Sequence, residues 1–212
     1  MKVAILGTGN MGTALGKALA PKHQIIYGSR TPQSKLEWAA SIGKNVQVVS
    51  QQEAIDTADI TLVTLNWPGN TVIETLTSLK NLNGKIMVDV TNVLKPDYSP
   101  LKFENSDSGA EEIQRHLPDS IIVKAFNTAS GFSILNQSLQ FGDKTVNGFY
   151  AGDNQKANAI VAELLKDAGF NPLYSGGLAN AIFLESLGQF LIALAFQQNL
   201  GVDIGWTLLT RT

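Results

Sequence analysis

Three glycines near the amino terminus have the spacing of a phosphate-binding turn. The stretch VAILGTGNMGTAL places them between an apolar run that predicts a strand and a segment that predicts a helix. In such a turn the first glycine permits a tight bend, the second lets the backbone approach a phosphate, and the third lets the helix pack closely. The alternative is a glycine-rich turn that serves packing only. The spacing favours a dinucleotide site, whose candidate residues are Gly7, Thr8, Gly9, Asn10, Met11 and Gly12.

The end of the second predicted strand indicates which dinucleotide to expect. An acidic residue there would accept hydrogen bonds from a free ribose 2′-hydroxyl, but the stretch IIYGSRTPQ has Ser29, Arg30 and Thr31 instead, and no Asp or Glu precedes Glu37. A guanidinium can hold a 2′-phosphate with two hydrogen bonds, and the two hydroxyls can donate to its other oxygens. With Lys35 nearby, the sequence predicts NADP(H). The alternative is that Arg30 is a surface charge and Ser29 a helix cap.

Small polar side chains follow three later apolar runs, in the motifs TLNWP, DVTN and KAFNT. Because the carboxyl ends of parallel strands meet at one edge of a sheet, we expect the nicotinamide to extend across them. In the alternative interpretation these are ordinary turn residues, and Trp67 either flanks a flat ring or packs in the core. The candidates at these strand ends are Leu65, Asn66, Trp67, Asn92, Ala125 and Asn127, with Thr91 and Thr128 beside them.

No acid, base or nucleophile can be assigned from the sequence, so the catalytic residues are unknown. His23 and His116 belong to no motif, the chain has no cysteine, and neither HExxH nor a dense carboxylate cluster occurs, so no metal site is expected. The lack of such motifs in the sequence fits hydride transfer from a cofactor to another ring, because positioning then matters more than proton transfer.

Short apolar runs alternate with helix-length amphipathic stretches along the chain, which predicts an α/β fold of the Rossmann type. We expect a doubly wound, mostly parallel sheet with helices on both faces and a short C-terminal helical extension. The predicted division is 1–176 for the NADP-binding domain and 177–212 for the extension, in one compact unit. The polar loop Thr91 to Glu112 follows a strand directly, which favours a role in ligand binding over a solvated surface loop.

The last predicted helix, Leu178 to Leu200, is apolar nearly all round, so it must be buried on most sides. Packing against a second copy in a homodimer is the favoured explanation over burial within a monomer. Membrane insertion is not expected, because Glu185 and three glutamines interrupt the apolar run. A net charge of −2 gives no reason to expect a nucleic-acid partner, and the lack of cysteine is compatible with a cytoplasmic location.

Taken in order, GTGNMG, GSRT, DVTN, VKAFNT, AGD and LESLGQFLIALAFQQNLG resemble the family of NADPH-dependent F420 reductases, which move hydride between NADP and a deazaflavin. The resemblance implies NADP held by Gly7 to Gly12 and by Ser29 to Thr31, with dimerisation through the C-terminal extension. The chain is also similar to the cytosolic reductase domain of the six-transmembrane metalloreductases. One departure concerns the acceptor, because Asn127 stands where a histidine is expected in deazaflavin reductases.

The predicted function is therefore hydride transfer between NADPH and a deazaflavin (coenzyme F420) or a flavin such as FMN or FAD. Two alternatives stay open. One is an NADPH-dependent flavin or ferric reductase, and the other is a non-catalytic NADPH-binding module that reports redox state. An open cavity beside the nicotinamide would distinguish an enzyme from a sensor.

Overall fold

The computed structural model describes residues 1–67, 71–95, 97, 99–129, 131 and 139–211. Pro68, the last residue of the TLNWP motif, lies outside the described residues. Most of the segment directly after Asn127 also lies outside them.

Eight strands form one sheet in the order β10, β9, β6, β5, β4, β1, β2, β3, and β7 and β8 form a separate hairpin. The strands are β1 (Lys2–Leu6), β2 (Gln24–Ser29), β3 (Val46–Ser50), β4 (Ile60–Val63), β5 (Ile86–Asp89), β6 (Ile121–Ala125), β7 (Gln140–Phe141), β8 (Lys144–Thr145), β9 (Asn147–Gly152) and β10 (Asn171–Tyr174). All neighbours in the large sheet are parallel except β6 and β9. The prediction of a mostly parallel sheet is confirmed.

Helices connect the strands and cover both faces of the sheet. They are α1 (Asn10–Leu19), α2 (Leu36–Ile42), α3 (Gln51–Thr57), α4 (Thr71–Ser78), α5 (Gly109–His116), α6 (Gln155–Asp167) and α7 (Ala181–Ile192). Short 3-10 turns, Pro32–Lys35 and Leu178–Asn180, precede α2 and α7, and a π-helical turn, Ala193–Gln197, extends α7. One hydrophobic cluster joins the sheet to α1 and α6, and another joins it to α4 and α5. The doubly wound Rossmann-type fold is thereby confirmed.

The strand order reverses at β1, which has β2 on one side and β4 on the other. In open α/β sheets this switch point is where ligands bind, at the carboxyl ends of the strands. The register brings the carboxyl ends of three strands together at that edge. Leu6 pairs with both Gly28 and Val63, so the chain leaves β1, β2 and β4 side by side.

Two parts of the fold were not predicted. Strand β10 contains Pro172, which the edge of a sheet tolerates, and the β7–β8 hairpin has only two residues in each strand. The segment after the π-helical turn runs past the start of β9, where Asn147 N donates to Trp206 O over 2.8 Å. The domain division at residue 176 stays a prediction.

Within the described part of the chain, the helical stretch Leu178–Gln197 is long and apolar enough to cross a membrane, despite the polar residues that interrupt it. A single stretch of this kind is weak evidence, because a core helix of a soluble protein passes the same test. Leu184 and Glu185 on this helix are buried against the rest of the fold, whereas Phe183 is exposed.

Candidate functional site

The three glycines of the turn after β1 differ in their local geometry. Gly7 adopts a φ of 121°, a conformation that side chains rarely allow. A Cβ on Gly12 would overlap the carbonyl oxygen of Gly7, so α1 can approach β1 only with glycine there. A Cβ on Gly9 would meet nothing within 4 Å, so its position faces open space. This agrees with the structural roles predicted for the three glycines, and Gly9 leaves room for a phosphate.

Helix α1 begins at Asn10 with Gly9 as its N-cap, and its first turn contains no acidic residue. The first amides of the helix therefore suit an anion. Two side chains fix the turn: Thr64 Oγ1 donates to Leu6 O over 2.9 Å, and Tyr27 OH donates to Gly12 O over 2.9 Å. Burial raises the pKa of Tyr27, so its hydroxyl remains a donor. The arrangement fits the pyrophosphate of a dinucleotide.

The predicted 2′-phosphate residues follow directly from β2. Ser29 ends the strand and its Oγ accepts from Thr31 N at 3.1 Å, which leaves the hydroxyl hydrogen available. The side chain of Arg30 is exposed, and no carboxylate of the described residues forms an ion pair with it. Ser34 Oγ donates to Thr31 O over 2.9 Å, which shapes the turn into the 3-10 helix. Together with the turn Gly7–Gly12, these residues form what we call the adenosine end of the site.

Lys35 lies one turn beyond Thr31, with Nζ 5.7 Å from the centre of the Trp38 ring. That ring in turn contacts Tyr27 edge-on, at 4.7 Å between centroids. Since Tyr27 also holds the glycine turn, the aromatic pair links Lys35 to the start of α1. Lys35 is half-buried, and its contact with a cofactor stays a prediction.

The residues after β4 divide between surface and core. Leu65 is half-buried and Asn66 is exposed at the edge of the sheet. Trp67 is only 2% exposed, its Nε1 donates to Thr91 Oγ1 over 2.6 Å, and its ring meets Phe103 edge-on at 5.0 Å. Of the two roles considered for Trp67, the structure supports packing, because its Nε1 and its ring are both engaged by contacts within the fold.

Asn92 and Asn127, which follow β5 and β6, bind each other. Asn92 Nδ2 donates to Asn127 O over 3.0 Å, and Asn127 Nδ2 donates to Asn92 Oδ1 over 2.9 Å and to Leu184 O over 2.8 Å. These acceptors fix which way both amides point. Asn127 Oδ1 is then left buried with no hydrogen-bond donor in the described structure. A buried acceptor without a donor requires an explanation, and a ligand is one.

The chain turns sharply between β6 and this amide pair. Ala125, the end of β6, is fully buried, and Phe126 adopts a φ of 65°, which is unusual for a residue with a bulky side chain. The turn returns the chain toward the glycine turn, since the Cβ position of Gly131 lies 3.6 Å from Met11 N. We call Asn92, Asn127 and the adjoining ends of β4, β5 and β6 the nicotinamide end of the site.

A buried ionic network lies behind the nicotinamide end. Lys124 Nζ donates to Asp89 Oδ2 at 2.7 Å, to Thr91 O at 2.6 Å and to Glu185 Oε1 at 2.9 Å, and the Lys124 side chain is fully buried. Burial by itself lowers the pKa of Lys124, but the two carboxylates outweigh it and raise the pKa above its ordinary value. Burial raises the pKa of Glu185, and Lys124 opposes that rise without cancelling it. Glu185 also accepts from Gly109 N at 3.0 Å.

Helix α7 packs directly on the amide pair through a glycine. A Cβ on Gly188 would lie 2.6 Å from Asn92 Oδ1 and 2.8 Å from Asn127 O. The C-terminal extension therefore forms part of the wall of the nicotinamide end, in addition to any role in association.

A cavity of about 1030 Å³ lies elsewhere, between Phe103, Arg115 and Asp153. Ile121 and Ile122, at the amino end of β6, line it, so it lies at the opposite end of that strand from the nicotinamide end. No group of three or more potential metal ligands occurs among the described residues.

Sequence reasoning missed the residues that support the site without facing it, namely Tyr27, Thr64, Asp89, Lys124, Glu185 and Gly188. Lys124 and Glu185 did give a signal, because each is the single charged residue of its element. Such charges are rarely buried unless they are paired.

The comparisons with known proteins agree with this geometry. Residues 2–93, which include the glycine turn and the end of β2, match the family model described as NADP oxidoreductase, coenzyme F420-dependent. The F420-dependent NADP reductase of Methanocaldococcus jannaschii is 29% identical over 215 residues, with 92% of each chain covered. The resemblance to the F420-dependent NADP reductases is confirmed.

The chain is also similar to metalloreductases and to a solved structure. Metalloreductase STEAP3 of Rattus norvegicus is 30% identical over 188 residues, which cover 88% of this chain, but the chain spans only about a third, 36%, of that protein. A candidate F420-dependent NADP reductase from Arthrobacter sp. FB24 superposes with a TM-score of 0.85 and 27% identity, covering 99% of this chain and 100% of that one. The chain is therefore similar to F420-dependent NADP reductases over nearly its whole length, and to metalloreductases over about a third of theirs.

Proposed function

We propose that the chain transfers hydride between NADP(H) and a deazaflavin or flavin ring. The observation that carries the NADP(H) part is the glycine turn beside an exposed Arg30 with no acid at the end of β2. The relatives that match nearly the whole chain support the redox part, since they are named for NADP reduction and metal reduction.

NADPH, when bound, supplies a hydride from its nicotinamide ring, and the acceptor takes this hydride together with a proton from solvent. The chain's own residues bind and orient. The first amides of α1 bind the pyrophosphate, and Arg30 with Ser29 and Thr31 binds the 2′-phosphate. The Asn92–Asn127 pair orients the carboxamide end. No side chain of the described site is needed as a general acid or base.

The identity of the acceptor depends on the nicotinamide end. Asn127 occupies the position where the resemblance led us to expect a histidine, and its amide is committed to Asn92 and Leu184. An ordinary flavin is therefore a second candidate acceptor, because it can take the hydride and pass the electrons singly to a ferric complex, and the metalloreductase relatives favour it.

The test is NADPH oxidation by the purified protein, followed at the nicotinamide absorbance, with F420, FMN, FAD and ferric chelate supplied separately. Turnover with F420 alone supports the deazaflavin reductase, and turnover only with flavin or iron supports the second candidate. Tight NADPH binding without turnover on any acceptor would contradict the proposed oxidoreductase activity and favour a redox sensor.

We further propose that the chain acts as a homodimer in the cytoplasm, without nucleic-acid or membrane partners. Support comes from α7, on which Phe183 is 67% exposed and Phe190 55% exposed, while the opposite face packs on the nicotinamide end. Exposed aromatic side chains on one helix suit a two-fold interface. Light scattering should give twice the mass of the chain, and Phe183→Ser should shift it toward the monomer; a monomeric wild-type protein would contradict the proposal.

A further inference from the structure

Lys124 is a fully buried cation that the proposed hydride transfer does not use. Its ammonium is surrounded by two carboxylates and a backbone carbonyl, all within 2.9 Å. A buried ion pair is a poor way to gain stability, because removing the charges from water offsets most of their attraction. The network therefore calls for an explanation other than stability.

Each partner of Lys124 adjoins a residue of the nicotinamide end. On β5, Asp89 Oδ1 accepts from Thr91 N at 2.9 Å and from Thr91 Oγ1 at 2.7 Å, which fixes the backbone just before Asn92. On α7, Glu185 follows Leu184, whose carbonyl accepts from Asn127. Lys124 itself lies three residues before Asn127, so a single ammonium holds every element that carries the amide pair.

The amide pair needs this support because it has no rigid element of its own. Asn92 and Asn127 lie in loops after β5 and β6, and their orientation depends on the spacing between two strand ends and a helix. Asn127 Oδ1 has no hydrogen bond of its own, so the orientation of this amide depends on the residues around it being fixed.

We propose that Lys124 is a positioning residue for the nicotinamide end of the cofactor. By joining Asp89, Thr91 and Glu185, it sets the distance between the ends of β5, β6 and α7 and so holds Asn92 and Asn127 in the orientation that a carboxamide ligand requires. The inference rests on the proposed binding of NADP(H) in this orientation.

The test separates the two ends of the cofactor. Affinities for NADPH and for adenosine 2′,5′-bisphosphate, which contains only the adenosine end, are measured by calorimetry for the wild type and for Lys124→Met. The matched control is Lys85→Met, because Lys85 Nζ also donates to two backbone carbonyls, Ile55 O at 3.0 Å and Ala58 O at 3.4 Å, but at the amino end of β5. NADPH fluorescence, which reports the surroundings of the nicotinamide, is recorded in parallel.

The expected result is a split between the two ligands. In Lys124→Met the affinity for NADPH falls about tenfold and the fluorescence change on binding is reduced, whereas the affinity for the bisphosphate is unchanged. Lys85→Met leaves both affinities as in the wild type. Unchanged NADPH affinity in Lys124→Met, or an equal loss for both ligands, would overturn the inference.

A second variant applies the same criterion if Lys124→Met does not fold, as judged by circular dichroism. Glu185→Gln keeps the shape of the side chain and one acceptor for Lys124, and it should give the same split at smaller amplitude. Equal binding of both ligands to Glu185→Gln and wild type would then overturn the inference. If the wild type binds NADPH no more tightly than the bisphosphate, the proposed orientation of the cofactor is contradicted. If the wild type binds neither ligand, the proposed function is contradicted.

Discussion

The adenosine end and the nicotinamide end of the candidate site are built in different ways. At the adenosine end, backbone conformation and exposed side chains of neighbouring residues do most of the work, as at Gly7, Gly9 and Arg30. At the nicotinamide end, buried side chains separated by many residues hold one another, as Asp89, Lys124 and Glu185 do. Local sequence therefore defines the first, and tertiary packing defines the second.

The largest expected effects come from the glycine turn, where two alanine variants should fail in different ways. Gly9→Ala places a methyl group in open space, so stability should change by less than about 1 kcal/mol while NADPH affinity falls about 100-fold or more. Gly12→Ala collides with Gly7 O and should lower the free energy of unfolding by about 2 kcal/mol or more. Urea unfolding and calorimetric titration measure both. Wild-type NADPH affinity in Gly9→Ala would contradict the phosphate site.

The next effect tests cofactor choice at the adenosine end. Arg30→Ala removes the charged partner of the 2′-phosphate, so NADPH binding should weaken by about 2 kcal/mol while NADH binding hardly changes. The control is Lys44→Ala. Lys44 is an exposed cation just before β3, at the amino ends of the strands, so this change should alter neither NADPH nor NADH binding. Equal weakening of NADPH and NADH by Arg30→Ala would exclude the phosphate role.

A smaller effect is expected where α7 contacts the nicotinamide end. Gly188→Ala pushes the helix away from Asn92 and Asn127, so NADPH affinity should fall about tenfold while affinity for the adenosine fragment is retained. Ser186→Ala is the matched control on the exposed side of the same helix, where Ser186 Oγ donates only to Ile182 O. If Gly188→Ala binds NADPH as the wild type does, α7 is not part of the wall.

The smallest effect concerns pH. Burial raises the pKa of Glu185 above its ordinary value of 4.5, so its contribution to the free energy of unfolding is full below that value. This contribution is lost as the pH rises through the folded pKa. Glu185→Gln should therefore flatten the fall in the free energy of unfolding with rising pH. Urea unfolding at several pH values, with Lys124 and Asp89 left unchanged, measures this. Identical slopes in variant and wild type would contradict the pKa direction.

The same contrast explains which parts of the fold could be predicted. The start of helix α3 is predictable, because Ser50 caps it by accepting from Glu53 N, a signal contained within four residues. The glycine turn was predicted for the same reason. Strand β10 was missed because Pro172 breaks the local strand pattern, and only pairing with β9 reveals the strand.

Burial was the other quantity that local sequence did not supply. Trp67 follows a strand just as Asn66 does, yet the indole turns inward to Thr91 while Asn66 stays exposed. Asn127 was predicted at the edge of the sheet, but its commitment to Asn92 and Leu184 depends on contacts over 35 and 57 residues. Such contacts follow from packing, which no short motif encodes.

The place of Glu185 and Gly188 in the chain has a consequence for how the protein is made. A ribosome releases the residues of the adenosine end early, and β1, β2 and β4 with their glycine turn are complete by residue 64. The nicotinamide end lacks Glu185, the second counter-charge of Lys124, and the Leu184 acceptor of Asn127 until α7 emerges, about 120 residues later. At a synthesis rate of about 5 to 20 residues per second, the nascent protein spends several seconds or more with only the first half of its cofactor site formed.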